Sequence, residues 1–175
     1  MGFTDRTRKT AEAFFMAFGV LMTLLVLEQF LFLFFGGSWP AKTSIRDLGF
    51  YESWGVMSFV QEWITVVHGF AYFACQQLGL SGSFLAACIL APLLEEIEFR
   101  GPLLLLRRHV SSPWVCSLAA CVLGTIFACA HPVPLLVLPI LFAFALCATW
   151  LAFKTGRLLP AMLLHAAYNA HVILP

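Results

Sequence analysis

Charge is scarce in this sequence. Of 175 residues only 11% are charged, while 61% are hydrophobic, and the mean hydropathy is +0.91. A soluble domain carries about 45–50% apolar and about 25% charged residues. So much apolar surface cannot be hidden inside a soluble domain of this size, and a bilayer is the natural solvent. The net charge is +1, with no basic stripe and no basic patch interleaved with aromatics, which excludes a nucleic-acid partner. No CxxC pair occurs among Cys75, Cys88, Cys116, Cys121, Cys129 and Cys147. Nearly all lie in apolar runs, where cysteine acts as a small hydrophobe, so they form neither a disulfide framework nor a zinc site. No internal repeat, low-complexity tract or second domain is visible, and the apolar segments follow too closely for an extramembrane domain. The expectation is an all-α, polytopic transmembrane bundle forming one integral membrane domain, 1–175.

A transmembrane helix needs about 20 mostly apolar residues. Six segments fit: Ala11 to Phe35, Val56 to Leu78, Ser83 to Arg108, Pro113 to Ala130, Leu135 to Phe153, and a short one from Leu159 to Leu174. The first follows Asp5, Arg6, Arg8 and Lys9 and is too long for a signal peptide, so it reads as a retained helix. His131-Pro132-Val133-Pro134 stops the fourth, and Lys154-Thr155-Gly156-Arg157 ends the fifth. With six alternating spans, side A holds Arg6, Arg8 and Lys9. Side B holds Lys42, Arg46, Arg107, Arg108, Lys154 and Arg157, and is read as cytoplasmic by the excess of basic residues. Trp39, Trp54, Trp114 and Trp150 also fall near side B.

Ionisable groups inside a bilayer cost about 2.5–3.5 kcal/mol each on the insertion scale and are usually paired and functional. Here they form three clusters. On the third span, Glu95, Glu96, Glu98 and Arg100 fall within six residues. Glu96 and Arg100 are four apart and share a face, so they can form an ion pair. Glu95 points about 100° away and is available to another helix. A poised carboxylate in a wet cavity can take a proton from water. On the fourth span, Phe127 and His131 share a face at the helix end. On the sixth, His165 and Asn169 share a face, and both can donate hydrogen bonds to a developing oxyanion. Alone, each cluster also fits a structural role: a charged interfacial helix end, a capping histidine, or polar glue between helices. Glu28-Gln29, Gln61-Glu62 and His68 could line the same cavity but are better read as interhelical or interfacial groups, and His171 as terminal.

Glu95-Glu96-xxx-Arg100, Phe127-xxx-His131 and His165-xxx-Asn169, in that order, resemble the signature of the CPBP family, the CAAX proteases and bacteriocin-processing (Abi-like) enzymes. The likeness covers a core of 83–172. Asp47-Leu48-Gly49-Phe50 also resembles the loop that often precedes that core. The short chain is similar to small prokaryotic members, which implies the cytoplasmic (inner) membrane. The resemblance implies the fold of the type II CAAX prenyl endopeptidase core and a glutamic-type intramembrane endopeptidase. It acts on a membrane-associated protein or peptide. Glu95, with His131, would deprotonate water. His165 and Asn169 would stabilise the oxyanion, Glu96 and Arg100 would orient Glu95, and Phe127 would pack the cavity. Catalysis is expected without a cofactor. If zinc were used, Glu95, His131 and His165 would be its ligands. Two other classes remain: a non-catalytic scaffold or immunity protein of the same fold, and a small proton-coupled transporter.

Depth poses a problem for this site. At about 1.5 Å per residue, Glu95 lies roughly 18 Å from side A, His131 close to it, and His165 roughly 10 Å from side B. The three meet only if helices tilt, bend near Pro92 or Gly101-Pro102, or if the third span starts deeper than Ser83.

Overall fold

The structure, a computed structural model, describes residues 3–34, 73, 82–131 and 133–173. Those residues are almost wholly helical. The first helix, α1, spans Phe3–Phe34. A second rod begins as α2 (Gly82–Leu85), passes through a π-helical turn (Ala86–Leu90) and continues as α3 (Ala91–His109). Then come α4 (Pro113–Ala130), α5 (Leu138–Thr155) and α6 (Leu159–Ile173).

The boundaries follow local chemistry. Pro113 and Pro139 sit in the first turns of α4 and α5, where an N–H would have no helical partner anyway. Gly156 ends α5 at φ +66, a left-handed conformation that a Cβ would oppose, and its N–H closes on the Ala152 carbonyl at 2.8 Å. At the end of α4, His131 turns extended, followed by a turn closed by Val137 N–H on Pro134.

Helix α1 is 32 residues long, about 48 Å, and exceeds the ~30 Å hydrocarbon core. Its charged first turns make exposed pairs, Arg8–Asp5 at 3.3 Å, Lys9–Asp5 at 3.4 Å and Arg8–Glu12 at 3.5 Å. Beyond them only Ala13, Ala17, Leu21 and Leu25 are buried, a stripe repeating every fourth residue. Phe15, Phe30, Leu33 and Phe34 stand exposed, as lipid-facing residues do. The small stripe residues let α1 approach α5 closely, with Cys147 Sγ 3.7 Å from the Ala17 carbonyl. Gly124 of α4 serves the same end: a Cβ there would lie 3.4 Å from the Phe142 ring. Among the described residues, α1, α4 and α5 are long and apolar enough to cross a membrane. Cys88, Cys116, Cys121, Cys129 and Cys147 are free thiols, and Cys75 lies outside the described residues.

The contacts fix the direction of each helix. Consecutive helices from α3 to α6 are antiparallel: Phe99 meets Phe127, Gly124 meets Ala145, and Phe144 meets His165. Helix α1 runs parallel to α6, because Thr7 and Thr10 flank Arg157 and Leu159 while Glu28 reaches Tyr168. This corrects the placement of the N-terminus. Arg8 and Lys9 lie at the same end as Arg107, Arg108, Lys154 and Arg157, not at the opposite face. The end of α1 and the start of α2 share the other end of the bundle. The proposed second span, 56–78, and Lys42, Arg46, Trp39 and Trp54 lie outside the described residues, except residue 73.

Candidate active site

The site is assembled around a buried arginine. Arg100 is 1% exposed, and desolvating its charge costs several kcal/mol unless it is paired. Three contacts offset that cost. Nη1 lies 3.2 Å from Glu96 Oε1 on the preceding turn. Nη2 donates to the Ala145 carbonyl at 3.4 Å. The guanidinium stacks over the Phe127 ring, 4.5 Å from its centroid. The Ala145 carbonyl also accepts the Thr149 hydroxyl at 2.8 Å, so α5 turns one polar spot toward α3.

Phe127 is the floor of the cluster. Its ring is 4.6 Å from His131, 5.7 Å from His165, 5.3 Å from Phe99 and 6.1 Å from Phe144. Phe144 in turn packs on His165 at 5.2 Å and stacks on Tyr168 at 4.9 Å.

Glu95 and both histidines do meet. His131 Nε2 is 3.8 Å from Glu95 Oε2, and His165 Nε2 is 3.5 Å from the same oxygen. For Glu95 and His131 the depth problem dissolves because α3 and α4 share a turn at 110–112 yet differ in length. Glu95 is fourteen residues before the end of α3, and His131 stands eighteen residues beyond the start of α4. The surplus of the longer rod, including the π turn, lies past His131.

The other ring nitrogens are committed. His131 Nδ1 is 2.7 Å from the Phe127 carbonyl, an acceptor, so Nδ1 carries the proton. His165 Nδ1 is 2.9 Å from Glu96 Oε1, which also faces Arg100. Both imidazoles are therefore held through Nδ1 and turn Nε2 toward Glu95. Glu95, Glu96 and His165 are buried, while the His131 side chain is 30% exposed and is the member of the cluster that water can reach.

Asn169 departs from a purely oxyanion-facing position. Its Nδ2 donates to the Ala87 carbonyl at 2.7 Å, and one amide hydrogen remains beyond that bond. His165 is likewise not paired with Asn169 but bridges the two carboxylates. Sequence reasoning missed Ala87, Ala145 with Thr149, and Phe144, which are apolar or small and carry no motif signal. It also missed Tyr168, whose hydroxyl donates to Glu28 Oε2 at 3.1 Å and ties α1 to α6. Gln29 and His171 are exposed, and Gln61, Glu62 and His68 lie outside the described residues. Among the described residues no three His, Cys, Asp or Glu side chains form a metal-ligating group.

Buried carboxylates, imidazoles and an arginine held between apolar helices define an integral membrane protein with a polar centre. The family model described as type II CAAX prenyl endopeptidase Rce1-like matches residues 77–171, more than half of the chain, and the chain belongs to that family. The CAAX-protease resemblance read from the three motifs is thereby borne out. No curated protein and no solved structure matches the chain.

Proposed function

We propose that this protein is an intramembrane endopeptidase in which Glu95 activates water against a peptide bond of a membrane-associated protein or peptide. The observation that carries this reading is the convergence of Glu95 Oε2 with the Nε2 atoms of His131 and His165. Glu95 Oε2 and His131 Nε2, whose ring carries its proton on Nδ1, are two acceptors meeting in one place, and a water molecule donating to both would bridge them. Glu95 takes the water proton as the oxygen attacks the carbonyl carbon. With a proton on each nitrogen, His165 keeps Glu96 through Nδ1 and offers Nε2–H to the oxyanion, beside the second amide hydrogen of Asn169. Collapse of the tetrahedral intermediate breaks the C–N bond, and protonated Glu95 returns its proton to the leaving amine. Glu96, Arg100 and Phe127 hold this geometry, and the segment 83–172 is the catalytic core.

The reaction is proposed to need no metal. A tetrahedral zinc with bonds of about 2.0–2.1 Å would draw its ligands to about 3.3 Å apart, against 3.5 Å from Glu95 to His165 and 3.8 Å to His131. The donor types would suit zinc, which would polarise the carbonyl and activate water. Purified protein stripped by chelator and assayed for zinc by elemental analysis decides the point. Cleavage that persists without zinc supports the proposal, and cleavage restored only by zinc overturns it. The location proposed is a prokaryotic inner membrane, crossed several times.

A further inference from the structure

Between the first turns of α1 and the start of α6 runs a groove of about 510 Å³. It lies at the end of the bundle where α5 and α6 join, and none of the groups around Glu95 lines it. Its walls are apolar, including Phe14, Pro160 and Leu163, while Thr7, Thr10 and Arg157 line its mouth. The volume falls in the range of small-molecule sites, about 300–1,000 Å³. Arg157 and Leu163 are exposed, and no carboxylate pairs with Arg157 among the described residues.

We propose that this groove binds an anionic phospholipid of the adjoining leaflet, with its phosphate on Arg157 and an acyl chain along Phe14, Pro160 and Leu163. Two observations select this occupant. The lining combines apolar side chains with one arginine and two threonines, in a bundle whose solvent is lipid, so an amphipathic molecule with a polar head and an apolar tail matches it. The charge at this end is also complementary to an anionic headgroup. Asp5 and Glu12 are taken up by Arg8 and Lys9, which leaves Arg107, Arg108, Lys154 and Arg157 to set a positive sign there. An arginine fork engages a phosphate through two parallel N–H donors.

The test is native mass spectrometry of the full chain in detergent, with phosphatidylglycerol or phosphatidylcholine of equal chain length. The expected result is retention of phosphatidylglycerol roughly tenfold above phosphatidylcholine, the scale of one charge-assisted contact. Arg157→Gln should remove that preference, and Leu163→Trp, which fills the groove, should displace both lipids. Both positions are exposed, so neither change disturbs the core. Equal retention of the two lipids, or a preference that survives Arg157→Gln, overturns the proposal. Displacement of phosphatidylglycerol by millimolar inorganic phosphate would assign Arg157 to a soluble anion and overturn it as well. The assay reads no proteolysis, so it stands apart from the endopeptidase reading.

Discussion

The Asn169 side-chain amide lies 2.7 Å from the Ala87 carbonyl, and Pro92 is the reason that this carbonyl is available. In an α-helix the Ala91 N–H would bond Ala87, but in the π turn it bonds Ala86 instead. A π ladder would next offer the N–H of residue 92 to Ala87, and proline has none. The orphaned carbonyl is satisfied from α6, which locks the helix carrying His165 against the rod carrying Glu95.

Asn169→Ala should therefore cost about 1 kcal/mol, the net worth of a part-buried hydrogen bond. In a Pro92→Ala background the Ala91 N–H can return to Ala87, and the cost of Asn169→Ala should shrink. A double-mutant cycle on thermal stability in detergent measures the coupling. Additive effects would mean that the proline and the asparagine act separately.

Removing the carboxylate beside Arg100 should be severe. Glu96→Leu leaves a buried, unpaired guanidinium and should cost about 3–5 kcal/mol. The double change Glu96→Leu with Arg100→Met should recover much of that loss, because neither charge then remains buried. Chemical denaturation of the single and double variants measures it.

The direction of α1 predicts labelling from one face. With native cysteines replaced, Lys9→Cys and Arg157→Cys should react with a membrane-impermeant thiol reagent from the same side. His171→Cys should react from the other side. By the excess of basic residues, the face of Lys9 and Arg157 is expected to be cytoplasmic. Labelling of Lys9→Cys and Arg157→Cys from opposite sides would contradict the packing of α1 along α6.

Tyr168→Phe removes the donor to Glu28 and should destabilise α1 packing by about 1 kcal/mol. Because Phe retains the stack on Phe144, the Glu95 cluster should stay assembled. Hydrogen exchange should then rise in α1 and stay unchanged in α3.

Much of this was legible in the sequence. Proline and glycine punctuation marked both ends of α4 and the close of α5, and four-residue spacing foretold the Glu96–Arg100 pair. The separation of Glu95 from that pair also followed from helical geometry. The sequence could not reveal which end α1 starts from, because alternation depends on the number of crossings before α2, and a parallel neighbour looks the same as an antiparallel one. The π turn left only Pro92 as a trace, since Ala-Ala-Cys-Ile-Leu has no distinctive period. The bridging role of His165 was hidden as well: spacing on α6 paired it with Asn169, while packing against α3 paired it with Glu96.

The central claim is that Glu95 is the base. Glu95→Gln keeps the size of the side chain and removes its basicity. Membrane-protein termini should be compared by mass spectrometry in cells expressing wild type, Glu95→Gln or no protein, with equal folded protein verified. The account predicts that termini produced by wild type disappear in Glu95→Gln, a rate loss of at least about 10²-fold. Termini produced at the wild-type rate by Glu95→Gln would contradict it.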